Sequence, residues 1–146
     1  NRSTLVPVIG TVTSAPLSDV VAEMLVTSDN NTAELLVKEL GVMVRGEGSR
    51  AAGLGVIRDW LTGNGITTLG VELADGSGLS NDNLLTCELV LAVLQRADAA
   101  TLLSALPIAA STGTLADEFT DSPLADRLRG KTGTLNVGEV DPPAVK

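Results

Sequence analysis

Residues 15–41 read APLSDVVAEMLVTSDNNTAELLVKELG, and the way this stretch folds organises the rest of the chain. Pro16 is suited to opening a helix, since a first-turn residue has no use for the N–H that proline lacks. Leu17, Val20, Val21, Met24 and Leu25 then recur at helical spacing. The stripe ends before Thr27, so Ser28-Asp29-Asn30 falls in the turn that follows. A second helix is expected at once, with Asn31 as its N-cap and Glu34 three residues on as a variant capping box. Ala33, Leu36, Val37 and Leu40 supply its apolar stripe, and Gly41 reads as its stop. Three polar side chains are thereby clamped between two helices with little freedom.

Working outward, Ser49 predicts the start of a third helix through Ala52, Val56, Trp60 and Leu61, ending near Gly63-Asn64-Gly65. Gly53 and Gly55 either weaken that helix or let a neighbour pack closely. Thr67 to Leu73 reads as a strand, and Asp75 to Asn83 (DGSGLSNDN) as a glycine-rich loop in which Asn83 can cap the next helix. That helix is expected from about Leu84 to Arg96, and another from Ala99 to Leu106, stopped by Pro107. Residues 109–121 read as a surface loop, Pro123 to Arg129 as a short helix and Lys131 to Asn136 as a strand. Upstream, residues 1–13 are rich in β-branched side chains and predict one or two short strands, the first limited by Pro7 to an edge or a break. Asp141-Pro142-Pro143 interrupts regular structure, so 137–146 is expected to be an irregular tail. No internal repeat is visible. The pattern is helix-rich with few strands, most near the ends, which predicts an α+β class.

Composition narrows the function classes. The 146 residues suit one domain or a large part of one. With 44% apolar residues the chain can bury a core, and that core is aliphatic because Trp60 and Phe119 are its only aromatics. Few aromatics disfavour single-stranded nucleic-acid binding, and a net charge of −8 without a basic cluster disfavours a phosphate-backbone partner. No apolar run approaches the roughly 18 residues that span a bilayer. Asn1 to Ile9 lacks the basic-then-apolar order of a signal peptide. Cys87 is alone, which excludes an intrachain disulfide, and it reads as a core residue beside the apolar face of its helix. With no histidine, a Ser-His-Asp triad is excluded and a zinc site would need an unusual ligand set, so a hydrolytic base would have to be lysine or a carboxylate.

Two tripeptides carry chemistry. In the turn, the Ser28 hydroxyl can relay a proton to a leaving amine, and the Asn30 carboxamide can donate to a substrate carbonyl and accept from an ammonium. The plain alternative is a helix-capping turn, in which Ser, Asp and Asn are favoured. Lys131-Thr132-Gly133 offers a cation for a carboxylate, a hydroxyl, and a bare backbone against which an extended ligand can pair. The Thr134 N–H can face a developing oxyanion. The plain alternative here is an edge strand guarded by a lysine. The DGSGLSNDN loop has neither the G-K-[ST] of a P-loop nor the spacing of an EF-hand.

Together these residues resemble the D-alanyl-D-alanine carboxypeptidases of the class C low-molecular-mass penicillin-binding proteins. The matching stretches are APLSDVVAEMLVTSDNNTAELLVKELG, GSRAAGLGVIRDWL, ADGSGLSNDNLLT, LPIAASTGTLADEF and LRGKTGTLN, in the family's order over roughly residues 10–136. Ser-Asp-Asn and Lys-Thr-Gly are shared with β-lactamases; DGSGLS-x-x-N separates this group from them. The resemblance implies the helix-rich part of a penicillin-binding-protein/β-lactamase-like transpeptidase domain with an incomplete central sheet. It implies acyl transfer on peptidoglycan stem peptides ending in D-Ala-D-Ala, binding of β-lactams, no cofactor, and work outside the cytoplasmic membrane. By motif, Ser28 would shuttle the proton, Asn30 would hold the substrate amide, and Lys131 and Thr132 would bind the terminal carboxylate. Gly133 would leave room for it, and Thr134 N–H would form half of the oxyanion hole. Asp29 would orient the turn.

The sequence departs from this pattern in two places. The family's Ser-x-x-Lys nucleophile is absent: the three lysines, Lys38, Lys131 and Lys146, are preceded three residues earlier by Leu35, Leu128 and Pro143. After KTGTL the family continues into sheet strands, where this sequence reads VGEVDPPAVK. The expectation is therefore a partial DD-peptidase domain over 1–146 that needs the remainder of the enzyme as partner. The alternative is a truncated, non-catalytic homologue that binds cell-wall peptides or a protein.

Overall fold

The computed structural model describes residues 10–135. Its elements are α1 (Leu17–Thr27), α2 (Asn30–Arg45), α3 (Arg50–Gly63), α4 (Cys87–Leu94), α5 (Ala100–Ala105) and one 3-10 turn, Gly113–Leu115. Among the described residues, sheet pairing is confined to two isolated antiparallel bridges, Glu72 with Leu84 and Ile108 with Arg129. The helix-rich part of the expectation stands, while the strand expected at 67–73 is reduced to a bridge, and that expected at 131–136 shows no ladder over its described residues, 131–135. Residues 10–13 form no strand, and the strand reading for 1–9 and the tail at 137–146 lie outside the described residues.

The opening stretch folds as two helices joined by a tight turn. Pro16 is the N-cap residue of α1, and Ser28 closes it in the left-handed region at φ 58°, ψ 46°. The N-cap of α2 is Asp29 rather than Asn31: its carboxylate accepts from Asn31 N–H at 2.9 Å and from the Thr32 hydroxyl at 2.6 Å. That hydroxyl is also the main reason the Asp29 carboxyl is held below the usual carboxylate range. Gly41 does not stop α2, which runs on to a left-handed Gly46. Gly41 is buried instead, because α3 crosses α2 there.

The seam between α2 and α3 is built on small residues. Ser49 caps α3 as expected, its hydroxyl accepting from Ala52 N–H at 3.1 Å. Ala52, Gly53 and Leu54 are buried, with Gly53 directly against Val37 of α2 and Ala52 beside Gly41. A Cβ on Gly53 would collide with the Val37 carbonyl, so only glycine permits this approach. Of the two readings open for Gly53, close packing is the one realised.

A second apolar cluster joins Leu61, Ile66, Val71 and Leu89, with Ile57, Leu73, Ala92 and Val93 around it. It docks α4 on the end of α3. Helix α4 starts at Cys87, later than expected, because the bridge to Glu72 keeps Leu84 extended and Thr86 supplies the cap. Asn83 is committed elsewhere: its side-chain oxygen accepts from Ala74 and Asp75 N–H, and its amide donates to Asp75 and the Ser80 carbonyl. Cys87 is exposed, which corrects its reading as a core residue.

The segment 107–115 is more than a surface loop. Pro107, Ala109 and Leu115 are buried. Ala109 N–H donates to Leu128 O at 3.0 Å, Asp126 N–H to Ala109 O at 2.8 Å, and Gly130 N–H to Pro107 O at 3.1 Å. These bonds hold 126–130 alongside 107–109. They explain why 123–129 forms linked turns, with Asp126 at φ 58°, instead of the expected helix. The Gly113–Leu115 turn packs on the end of α1, so the chain just before Lys131 is anchored beside Ser28.

Candidate active site

An open cleft of about 930 Å³ lies where α1 ends, α2 begins, and the 75–83 loop meets residues 131–135. Ser28, Asn30, Lys131, Thr132, Gly133 and Thr134 all line it. Every residue singled out from the two tripeptides is therefore brought to one place.

The Lys131 ammonium donates to the Ser28 hydroxyl at 2.7 Å and to the Thr132 carbonyl at 2.7 Å. Lys131 has no salt-bridge partner among the described residues, so its charge is left to the cleft. Burial pushes its pKa down from the ordinary lysine value. Ser28 presents its hydroxyl from a left-handed backbone, a conformation that costs a non-glycine residue about 1–2 kcal/mol. Such strain persists only where neighbours enforce it. Here the enforcement is local: Asp29 N–H donates to Met24 O at 3.1 Å while the Asp29 carboxylate caps α2. Asn30 follows as the first residue of α2, with its position fixed by that cap.

Two residues escaped the sequence reading. The Thr132 hydroxyl donates to the Thr114 hydroxyl at 2.8 Å, and Thr114 lines the cleft. In sequence its segment has the character of a surface loop, and no spacing links positions 18 apart. Glu34 fits a capping box in sequence. Its carboxylate instead accepts from Gly76 N–H at 3.0 Å, Ser77 N–H at 3.1 Å and the Ser77 hydroxyl at 2.9 Å, and from Arg50 at 2.9 Å. The capping pattern disguised a contact 42 residues away. Gly76, Ser77, Gly78, Leu79 and Asn81 form a wall of the same cleft, so the loop is part of the site and not only a family signature.

The donors and acceptors suit an extended ligand with a terminal carboxylate: a cation and a hydroxyl at one end, a carboxamide beside it, and the Gly133–Thr134 backbone, which makes no hydrogen bond among the described residues. Among the described residues no group of His, Cys, Asp or Glu could hold a metal ion, and no helix is long and apolar enough to cross a membrane.

Comparison with known proteins shows the family of the chain. The chain is 38% identical over 137 residues to a D-alanyl-D-alanine carboxypeptidase of Actinomadura sp. (strain R39), covering 85% of this chain and 25% of that protein. It is 37% identical over 134 residues to a carboxypeptidase of Mycobacterium tuberculosis, covering 85% and 29%. The fold superposes on penicillin binding protein 4 from Haemophilus influenzae, solved in complex with a β-lactam. The TM-score is 0.77 at 30% identity, covering 83% of this chain and 30% of that one. The chain thus spans between a quarter and a third of the length of the curated relatives it matches. Residues 6–138 match the D-Ala-D-Ala carboxypeptidase 3 (S13) family, and the chain belongs to that family.

Proposed function

We propose that the cleft binds the D-Ala-D-Ala end of peptidoglycan stem peptides and forms the leaving-group side of a serine carboxypeptidase site. The hydrogen bond between Lys131 and Ser28 carries this reading. It joins a cation for the terminal carboxylate to a hydroxyl that can pass a proton to the departing amine. When Thr132 turns its hydroxyl from Thr114 to the ligand and accepts the Thr114 O–H instead, it adds a second donor to the carboxylate; Asn30 holds the penultimate amide, and Thr134 N–H supports the oxyanion.

The attacking serine comes from a Ser-x-x-Lys element that these 146 residues do not contain. Its oxygen bonds to the penultimate carbonyl carbon, and the C–N bond to D-alanine breaks. A proton relayed through Ser28 leaves with the amine. Water then cleaves the ester and restores the serine. β-Lactams enter the same cleft as mimics of the dipeptide, which suits the β-lactam complex of the Haemophilus influenzae relative. Such a substrate places the enzyme outside the cytoplasmic membrane.

The test uses the natural full-length polypeptide carrying this sequence. Release of D-alanine from a D-Ala-D-Ala peptide, with acylation by a labelled penicillin, is expected. Reversible peptide binding without acylation would favour a non-catalytic binding module. Acylation within residues 1–146 would refute an external nucleophile.

A further inference from the structure

We infer that Glu34 is a positioning residue that sets the Gly76–Ser77 wall of the cleft against Asn30. Glu34 stands one helical turn after Asn30, so the two share a face of α2. Its Oε1 takes all three bonds from Gly76 and Ser77, while Oε2 faces Arg50 of α3. The side chain is only 18% exposed. The loop presses directly on α2 at this point: a Cβ on Gly76 would lie 2.5 Å from Val37 Cγ2 and 2.9 Å from Ala33 O.

The loop does not need Glu34 for its own shape. The Asp75 carboxylate accepts from Gly78 N–H at 2.7 Å and Ser80 N–H at 2.6 Å, and Asn83 ties Ala74, Asp75 and Ser80 together. Internal geometry and placement are therefore held by different residues. Asp75 and Asn83 make the loop a preformed unit; Glu34 fixes where that unit sits relative to the Ser28–Asn30 turn. A wall held by three charge-assisted bonds is rigid enough to align an extended peptide between itself and Lys131–Thr134.

This rests on the reading of the cleft as a peptide site, and the experiment separates the two. Glu34→Ala, Glu34→Gln and Arg50→Met are made in the natural full-length polypeptide. D-Alanine release and amide hydrogen exchange at Gly76 and Ser77 are then measured. Glu34→Ala is expected to raise KM about tenfold, the equivalent of losing one charged hydrogen bond, with kcat changed much less. Exchange should accelerate at Gly76 and Ser77 and stay unchanged through α2 and α3. Glu34→Gln keeps an acceptor at Oε1 and should recover most of both effects. Arg50→Met, which leaves the loop bonds in place, should resemble wild type. Unchanged exchange at Gly76 and Ser77 in Glu34→Ala overturns the inference. So does faster exchange spread along both helices, which marks a purely structural role. If the wild type releases no D-alanine, the peptide reading fails, and the exchange pattern still decides whether Glu34 sets the loop.

Discussion

Lys131 and Ser28 lie 103 residues apart in sequence and share a 2.7 Å hydrogen bond. The contact depends on two independent supports: the helix-cap-helix turn that presents Ser28, and the 107–109 segment that guides 126–130 toward it. Both are backbone devices, so side-chain changes at the contact should alter chemistry more than folding.

The state of Lys131 gives a pH prediction. Partial desolvation lowers its pKa, so the ammonium is lost as pH rises through that lowered value, before an unperturbed lysine would lose it. The same shift makes the folded state disfavour the charged form, so this residue's contribution to stability improves as pH rises. Binding and stability therefore move in opposite directions on the alkaline side. KM for a D-Ala-D-Ala peptide should climb as pH rises on the alkaline side, at lower pH than an unperturbed lysine would set, and Lys131→Arg, which stays charged, should flatten that rise. A KM independent of pH in the wild type would defeat the carboxylate assignment.

At Ser28 the backbone and the hydroxyl make separable demands. Ser28→Gly removes the hydroxyl and suits φ 58°, so it should hold or raise thermal stability, by up to about 1 kcal/mol, while turnover falls steeply. Ser28→Ala removes the hydroxyl and keeps the strain, so it should lose turnover without gaining stability. Thermal unfolding and D-alanine release on the pair decide the matter. Full activity in the glycine variant would show that the hydroxyl moves no proton.

Thr114 should matter through Thr132. Thr114→Val removes the partner of the Thr132 hydroxyl and leaves its volume in place. One neutral hydrogen bond at a solvent-accessible site is worth about 0.5–1.5 kcal/mol, which corresponds to roughly a two- to tenfold rise in KM. Thr132→Val should have the larger effect, since it deletes the donor itself. Equal KM values for wild type and Thr114→Val would mean that the Thr132 hydroxyl needs no support.

The sequence made the site legible wherever its information was local. The stripe from Leu17 to Leu25, the Ser49 cap and the polar turn at 28–30 all follow from spacing and capping chemistry. What it hid was long-range. Glu34 satisfied a capping pattern by coincidence, while its real partners were amides in a loop 42 residues on. The 123–129 segment has helical composition, but Ala109 claims its backbone groups. Leu84 looks like the start of a helix, but its N–H and C=O are already paired with Glu72. In each case tertiary hydrogen bonding overrode a local preference worth only a few tenths of a kcal/mol per residue, about what propensity scales allow.

Gly53 tests whether the α2–α3 seam transmits to the cleft. Alanine there must push the Val37 carbonyl away, and overpacking of this kind costs about 1–3 kcal/mol. Gly63→Ala, at the end of α3 with open space around it, is the control and should be neutral or slightly stabilising. Separating the helices also shifts Val37, against which Gly76 rests. Gly53→Ala should therefore lower the denaturant midpoint and raise KM together, while Gly63→Ala changes neither. A destabilised Gly53→Ala with an unchanged KM, measured well below its unfolding midpoint, would show that the loop wall is held by Glu34 and Asp75 alone and that the helix seam serves only to keep the chain folded.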